Sequence, residues 1–470
     1  MKSDPPIDVD AEKSALHHFA DDLSEQDRED LANRVENPDR QDQKPWYKCI
    51  GPGLITGAAD DDPSGIGTYS QSGASFGYGQ LWLVPFCLPL MIAIQEMCGR
   101  VGLITGEGIA AVIKAHYPKW LLFGTLGLLV IANVLNVYAD LNIMAACAKM
   151  LFGQPTVLWL SMITVVLVGL QVTVPYRAYS RILKFLCLSL AGYVVVAMLP
   201  GVHNDWPLIA RNLFVPSFSL KLDYVVAMVA FLGTTISPYL FYWQAGETME
   251  EVVAEGLADE PGKRLQEVRD GEIRNVRADT TMGMIASQGV AFFIMVATAG
   301  TLFRTGKTDI NTAQDAAMAL KPLGDAAYWI FSVGMIGTGF LAIPTLAGSA
   351  AYALAETMGW RYGLYRRFRR APGFYLTVAG VVLIGYLLNV LSEITSIKIS
   401  PVKALVYSAV VNGVVAVPLM IVLMFICNNR KIVGRRVNGP WSNLFGGISI
   451  LFMGAASVFF IWAVLTGHAS

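Results

Sequence analysis

Eleven apolar stretches run through the chain, near 50–73, 80–99, 120–151, 155–175, 180–200, 223–246, 281–303, 325–356, 373–391, 403–427 and 444–467. Each can form a helix of roughly 17 to 25 residues or more, the length that crosses about 30 Å of hydrocarbon. With 54% of its 470 residues hydrophobic and 15% charged, the chain has too little polar surface to clothe a water-soluble globule of this size. The expected fold class is an all-α polytopic membrane protein whose surroundings are a lipid bilayer.

Lys and Arg resist export and mark the cytoplasmic connections. With the amino terminus inside, those connections hold 20 Lys and Arg and the opposite ones hold 8, which fits an odd number of spans and an extracellular carboxyl terminus in the plasma membrane. Residues 1–46 carry 13 acidic and 6 basic side chains and no long apolar run, so they read as a disordered cytoplasmic tail rather than a signal peptide. Spans 1–5 occupy 47–200, spans 6–10 occupy 201–427, and 428–470 adds a loop and span 11. The connection 247–280 is highly charged and long enough for a cytoplasmic helix or a tether.

Several function classes fall away. Cys49, Cys87, Cys98, Cys147, Cys187 and Cys427 all lie in or beside spans, so neither a disulfide framework nor a zinc motif is implied. No basic aromatic array suggests a nucleic-acid partner. No glycine loop has ATPase spacing, so transport would be driven by gradients, with no cofactor implied.

Two spans are interrupted. Span 1 contains Asp60, Asp61, Asp62, Pro63, Ser64, Gly65, Ile66 and Gly67 in succession, and span 6 contains Gly233, Thr234, Thr235, Ile236, Ser237 and Pro238. Every backbone polar group in hydrocarbon must be paired internally, so such breaks are tolerated where the loosened backbone meets protein, water or substrate. Both fall in the first helix of a five-helix group, in segments that cross in opposite directions. That is the arrangement of an inverted 5+5 repeat with its site at the repeat interface.

Freed carbonyls at half-helix ends suit a cation. An ionised Asp near mid-membrane costs about 2.5 to 3.5 kcal/mol on the insertion scale, and spans 1 and 6 hold no Lys or Arg to offset it. A bound metal is the simplest counter-charge for Asp62, and capping of a half-helix is the structural alternative. Asp60 and Asp61 either line the mouth of the site or face the cytoplasmic vestibule.

At this point a family resemblance becomes visible. Gly51-Pro52-Gly53, Asp62-Pro63-Ser64-Gly65, Gly73, Phe76-Gly77-Tyr78, Leu81-Trp82 and Gly102-Leu103-Ile104-Thr105-Gly106 resemble the start of the Nramp metal transporters, with a weaker match continuing to the final spans. The resemblance implies a LeuT-type fold of eleven transmembrane helices. It also exposes departures. The family's span 1 signature is Asp-Pro-Gly-Asn, so the carboxylate of Asp62 is kept while the metal-binding Asn becomes Gly65. In the family's span 6 signature, Ala-x-x-Met-Pro-His, the Ala, Met and His become Thr234, Ser237 and Tyr239.

A thioether favours transition metals over Mg²⁺ and Ca²⁺, so its loss leaves an oxygen-only ligand set. Shorter side chains also leave room for Mg²⁺, which sheds water reluctantly. The pattern resembles the Nramp-related magnesium transporter branch. His17, His18, His116, His203 and His468 all fall outside the spans, and a second span 6 His of proton-coupled members corresponds to Gln244. Span 3 keeps the family's acidic residue as Asp140 but has Ile143 where a downstream Glu stands. Asp140 either titrates as a remnant of a proton path or is hydrogen-bonded between helices. Asn412 in span 10 suits the pathway better than Gln288 in span 7, for which an interhelical hydrogen bond is the favoured role.

The sequence therefore points to facilitated uptake of largely hydrated Mg²⁺, with Mn²⁺ also accepted, by alternating access. The expected metal residues are Asp62, Gly65, Thr234 and Ser237, with Asp60, Asp61, Ser64, Tyr239 and Asn412 nearby. The rivals are a proton-coupled Mn²⁺ or Fe²⁺ carrier, a sodium-coupled carrier of an organic solute, and a metal sensor that binds without flux.

Overall fold

The computed structural model describes residues 56–57, 59–173, 191–200, 202, 204–254, 268–324, 326–364, 366–395 and 400–466. The acidic tail, the opening residues of span 1 and much of span 5 lie outside them. All regular structure among the described residues is helical.

Past the first break, span 1 continues as α1 (Pro63–Phe76), and span 2 is α2 (Leu83–Thr105). A short α3 (Ile109–His116) leads to α4 (Lys119–Phe152, span 3) and α5 (Thr156–Thr173, span 4). The end of span 5 is α6 (Ala191–Met198), and α7 (Trp206–Phe214) bridges to span 6, which is split into α8 (Leu222–Thr235) and α9 (Pro238–Ala254). Span 7 is α10 (Asp270–Thr301), α11 (Ala313–Ala317) lies in the following loop, and span 8 is α12 (Ala326–Met358). Spans 9 and 10 are α13 (Pro372–Ile394) and α14 (Pro401–Asn428); α15 (Arg430–Val433) and α16 (Pro440–Leu465, span 11) complete the chain. Among the described residues, nine helices are long and apolar enough to cross a membrane, counting the two halves of span 6 together. Spans 1 and 5 contribute their shorter described parts.

Only the two ends of the charged 247–280 segment are described; residues 255–267 lie outside the described residues. Its two ends extend α9 to Ala254 and start α10 at Asp270, so the described portions prolong membrane helices. Helices propagate at one hydrogen bond per residue once begun, so a polar continuation costs little beyond the membrane boundary.

Packing follows the inverted repeat. α1 lies against α10, as α9 lies against α2, so the span 1/span 7 pair and the span 6/span 2 pair exchange when the two halves are swapped. α8 runs along α14, and α4 sits between α12, α13 and α14. Glycine lets α8 and α14 approach closely: a Cβ on Gly233 would collide with the Ala409 carbonyl and the Gly413 amide of α14. Large apolar side chains point outward around the bundle, among them Val165, Leu376, Leu451 and Leu465, a surface that suits lipid.

Basic connections gather at one end. There Arg100 of α2, 6% exposed, donates to the Arg436 and Val437 carbonyls at 3.1 and 3.3 Å and to Asn438. Glu96 lies 3.7 Å from Arg100 and 3.2 Å from Arg277, and Arg436 pairs with Asp270. At the other end Lys307 meets Asp315 at 2.5 Å and Lys403 meets Asp309 at 3.5 Å.

Candidate metal site at the two helix breaks

Pro63 starts α1, and Asp62 is its N-cap with extended backbone (φ −67°, ψ 168°). One carboxylate oxygen, Oδ1, accepts from the Gly65 amide at 2.7 Å and from the Ser64 hydroxyl at 2.7 Å. The other, Oδ2, is buried and has no hydrogen-bond partner. The two roles weighed for Asp62 are thus divided between its two oxygens: one caps the half-helix, and one stands free inside the protein. A buried carboxylate oxygen left unpaired is costly, a cost that a proton or a cation relieves.

Opposite it stands the break in span 6. The Thr234 hydroxyl lies 3.3 Å from that of Ser64, so the two interrupted segments touch through short hydroxyl side chains. Gly65 matters through what it lacks. A Cβ there would come within 3.2 Å of the Thr234 hydroxyl and 3.3 Å of the Tyr69 ring, so any larger residue would cover them.

The freed carbonyls are answered differently from expectation. Pro63 has no N–H for the Ala59 carbonyl and Pro238 has none for the Thr234 carbonyl. Tyr239 donates its phenol to Ala59 at 2.9 Å, and Ser237 donates its hydroxyl to the Thr234 and Gly233 carbonyls at 2.6 and 2.8 Å. Each carbonyl keeps a second lone pair. Ser237 is left with acceptor capacity, since its hydrogen serves its own helix.

Asp60 and Asp61 do not face a solvent vestibule; they are 0% and 6% exposed. The Ser287 hydroxyl of α10 lies 2.5 Å from Asp60 Oδ2 and 3.3 Å from Asp61 Oδ1, so both carboxylates turn toward span 7. Asp140 is fully buried in α4, and neither of its oxygens accepts a hydrogen bond, which removes the interhelical-bond role weighed for it. Asn412 takes that role instead, accepting from Asn136 of α4 at 3.0 Å. Gln288 is buried without the expected hydrogen bond on either amide atom.

Sequence reasoning missed Ser287, Tyr69 and Thr56. Tyr69 packs against Phe231 with ring centres 5.1 Å apart and planes tilted by 56°, and its hydroxyl lies 3.3 Å from that of Thr235, closing one side of the breaks. Thr56 donates to Gln244 at 2.6 Å on the other side. No three His, Cys, Asp or Glu side chains converge as a metal cluster among the described residues. Among the described residues the breaks present two buried carboxylate oxygens without a hydrogen-bond partner, Asp62 Oδ2 and Asp60 Oδ1, in a setting of hydroxyls and carbonyls that are all hard oxygen donors.

Residues 53–463 match the profile of the family described as natural resistance-associated macrophage protein-like. The chain belongs to the Nramp family. Among curated relatives, the divalent metal cation transporter MntH of Chromohalobacter salexigens is 25% identical over 434 residues, covering 90% of this chain and 93% of the relative. MntH of Bacillus subtilis is 24% identical over 427 residues, 88% of this chain and 91% of its own length. The Eremococcus coleocola manganese transporter superposes with a TM-score of 0.69 at 16% identity over 88% of this chain and 86% of that one. Mhp1, a nucleobase-cation-symport-1 family transporter, superposes with a TM-score of 0.55 at 14% identity over 89% and 91% of the two chains. The LeuT-type fold of this Nramp member therefore extends to transporters outside the family.

Proposed function

We propose that this Nramp protein is a transporter of divalent metal cations that carries largely hydrated Mg²⁺, and Mn²⁺ as well, down their electrochemical gradients. The observation that carries the reading is the free, buried Oδ2 of Asp62 at the meeting of two broken helices. Around it, Gly65 and Ser237 stand where the family signature has Asn and Met. One carboxylate and a ring of neutral oxygens suit an ion that keeps several of its waters. Thr234, Ser237 and Ser64 face those waters with hydroxyl oxygens, while Gly65 leaves the space they need.

Alternating access fits the architecture, because the site lies between the two repeats and each broken helix offers a half that can move. The amino terminus is assigned to the cytoplasm, supported by the gathering of Arg100, Arg277 and Arg436 at one end of the bundle. An inside-negative potential contributes about 2.3 kcal/mol per charge per 100 mV, and twice that for a divalent ion. With Tyr239 and Gln244 at the positions that match family histidines, no imidazole remains in the spans to carry a coupled proton.

The test is Mg²⁺ uptake into vesicles by the wild type and by Asp62→Asn, with Mn²⁺ and Ca²⁺ as competitors. Uptake that depends on Asp62 and is competed by Mn²⁺ is expected. Absence of Mg²⁺ uptake, or uptake indifferent to the substitution, defeats the assignment.

A further inference from the structure

Between the last residue of α12, Met358, and the first of α13, Pro372, the sequence holds Arg361, Arg366, Arg367, Arg369 and Arg370 and no Asp or Glu. Glu356, in the last turn of α12, accepts from the Ala111 amide of α3 at 3.0 Å, which puts this connection at the same end of the bundle as Arg100. There Arg100, Arg277 and Arg436 are taken up by carbonyls and by the carboxylates of Glu96 and Asp270. Arg361, Arg367 and Arg369 are not. All three are exposed, and none forms an ion pair or a side-chain hydrogen bond among the described residues.

These cations are presented by an ordered turn. The Arg370 amide donates to the Arg367 carbonyl at 2.9 Å, Tyr375 of α13 donates its phenol to the Arg366 carbonyl at 2.6 Å, and the rings of Phe368 and Tyr375 lie 6.1 Å apart. Trp360 lies over the first turn of α13, where a Cβ on Gly373 would come within 2.6 Å of the indole, so its neighbour Arg361 is held beside α13 as well. Even so, Trp360 is 44% exposed and Phe368 37%.

Two membrane helices end here, so the turn stays at the bilayer surface. Exposed aromatic rings suit the headgroup level, and a guanidinium presents paired donors to a phosphate. A zwitterionic headgroup brings its own cation to its phosphate, whereas an anionic one brings charge that arginines without a carboxylate partner can neutralise. Because the turn is already ordered, little conformational entropy is lost when a headgroup docks.

We propose that Arg361, Arg367 and Arg369, with Trp360 and Phe368 beside them, form a docking surface for the headgroup of an anionic phospholipid in the leaflet at the basic end of the bundle. The inference goes beyond the transport reading and does not depend on which ion is carried.

The experiment titrates the purified full chain, in neutral detergent, with dioctanoyl phosphatidylglycerol or dioctanoyl phosphatidylcholine and counts bound lipid by native mass spectrometry. The first phosphatidylglycerol is expected to bind the wild type about tenfold or more tightly than phosphatidylcholine does. In the triple variant Arg361→Gln, Arg367→Gln, Arg369→Gln that preference falls to about twofold or less, at a melting temperature within a few degrees of wild type. Equal binding of the two lipids by the wild type overturns the proposal whatever the variant does, since the arginines then serve only to orient the chain in the membrane. A preference that survives in the triple variant overturns it too, because the lipid then sits elsewhere. Inorganic phosphate at the lipid's concentration is expected to leave the bound phosphatidylglycerol in place; displacement by it would show a site for free phosphate and overturn the assignment to lipid.

Discussion

Asp62→Asn separates the two roles that the structure divides between the oxygens of Asp62. Asn is as good an N-cap as Asp, and its side-chain oxygen can accept from the Gly65 amide and the Ser64 hydroxyl, which now lie 2.7 Å from Oδ1. The half-helix therefore stays capped. The change falls on Oδ2, the free buried oxygen, which becomes an NH₂ group that points donors where a cation would sit. Two unit charges 4 Å apart attract by about 4 kcal/mol at an effective dielectric constant near 20, and a divalent ion doubles this to about 8. Desolvation of the ion and of the carboxylate takes back most of that sum. If a third survives, about 2.7 kcal/mol, affinity falls about a hundredfold. Calorimetric titration of purified wild type and variant with Mn²⁺ and Mg²⁺, beside their melting temperatures, measures both roles. The expected result is an affinity lower by about two orders of magnitude at a melting temperature within a few degrees of wild type. Equal affinity for the two proteins would refute the reasoning, and a large drop in melting temperature would show that the cap depends on charge.

Ser237→Met places a soft thioether at the span 6 break and should move the competition ratio toward Mn²⁺ over Mg²⁺ by about tenfold or more, read from competitive uptake. Gly233→Ala drives a methyl group into the backbone of α14 at Ala409 and Gly413, and should destabilise the protein by about 1 to 3 kcal/mol in thermal unfolding. Arg100→Met leaves the Arg436 and Val437 carbonyls and Asn438 without their donor and Glu96 with one fewer cation, a buried pair broken from one side. A loss of about 3 to 5 kcal/mol is expected, measured by the same unfolding assay.

The spans were legible because a helix in hydrocarbon needs only its own backbone and an apolar surface, both local properties. Their ends at Phe152, Thr173, Met358 and Asn428 fall within about two residues of the apolar runs. The break after Asp62 was legible because Pro63 marks it locally, and its meeting with the span 6 break followed from the inverted-repeat pattern. The extension of α9 and α10 into charged sequence was not, because apolarity stops at the membrane boundary and helical hydrogen bonding does not. Nor were the partners. Tyr239 bonds 180 residues away, and Ser287 reaches Asp60 across 227. No local pattern marks Ser287 off from other serines in spans, so its contact with two aspartates had to be seen. Asn412, read as the better suited to the pathway, makes an interhelical bond, and of the two roles weighed for Asp140 the hydrogen-bonded one finds no partner. Both residue types are polar and buried in spans, and sequence alone does not say which finds a neighbour.

The central claim is that an oxygen-only site in this Nramp fold moves Mg²⁺ without a coupled proton. The direct measurement is influx of Mg²⁺ into proteoliposomes under an inside-negative potassium diffusion potential, followed together with internal pH. The account predicts Mg²⁺ entry that grows with the potential while internal pH stays constant. Acidification in proportion to metal entry, or no entry of Mg²⁺ while Mn²⁺ passes, would contradict it.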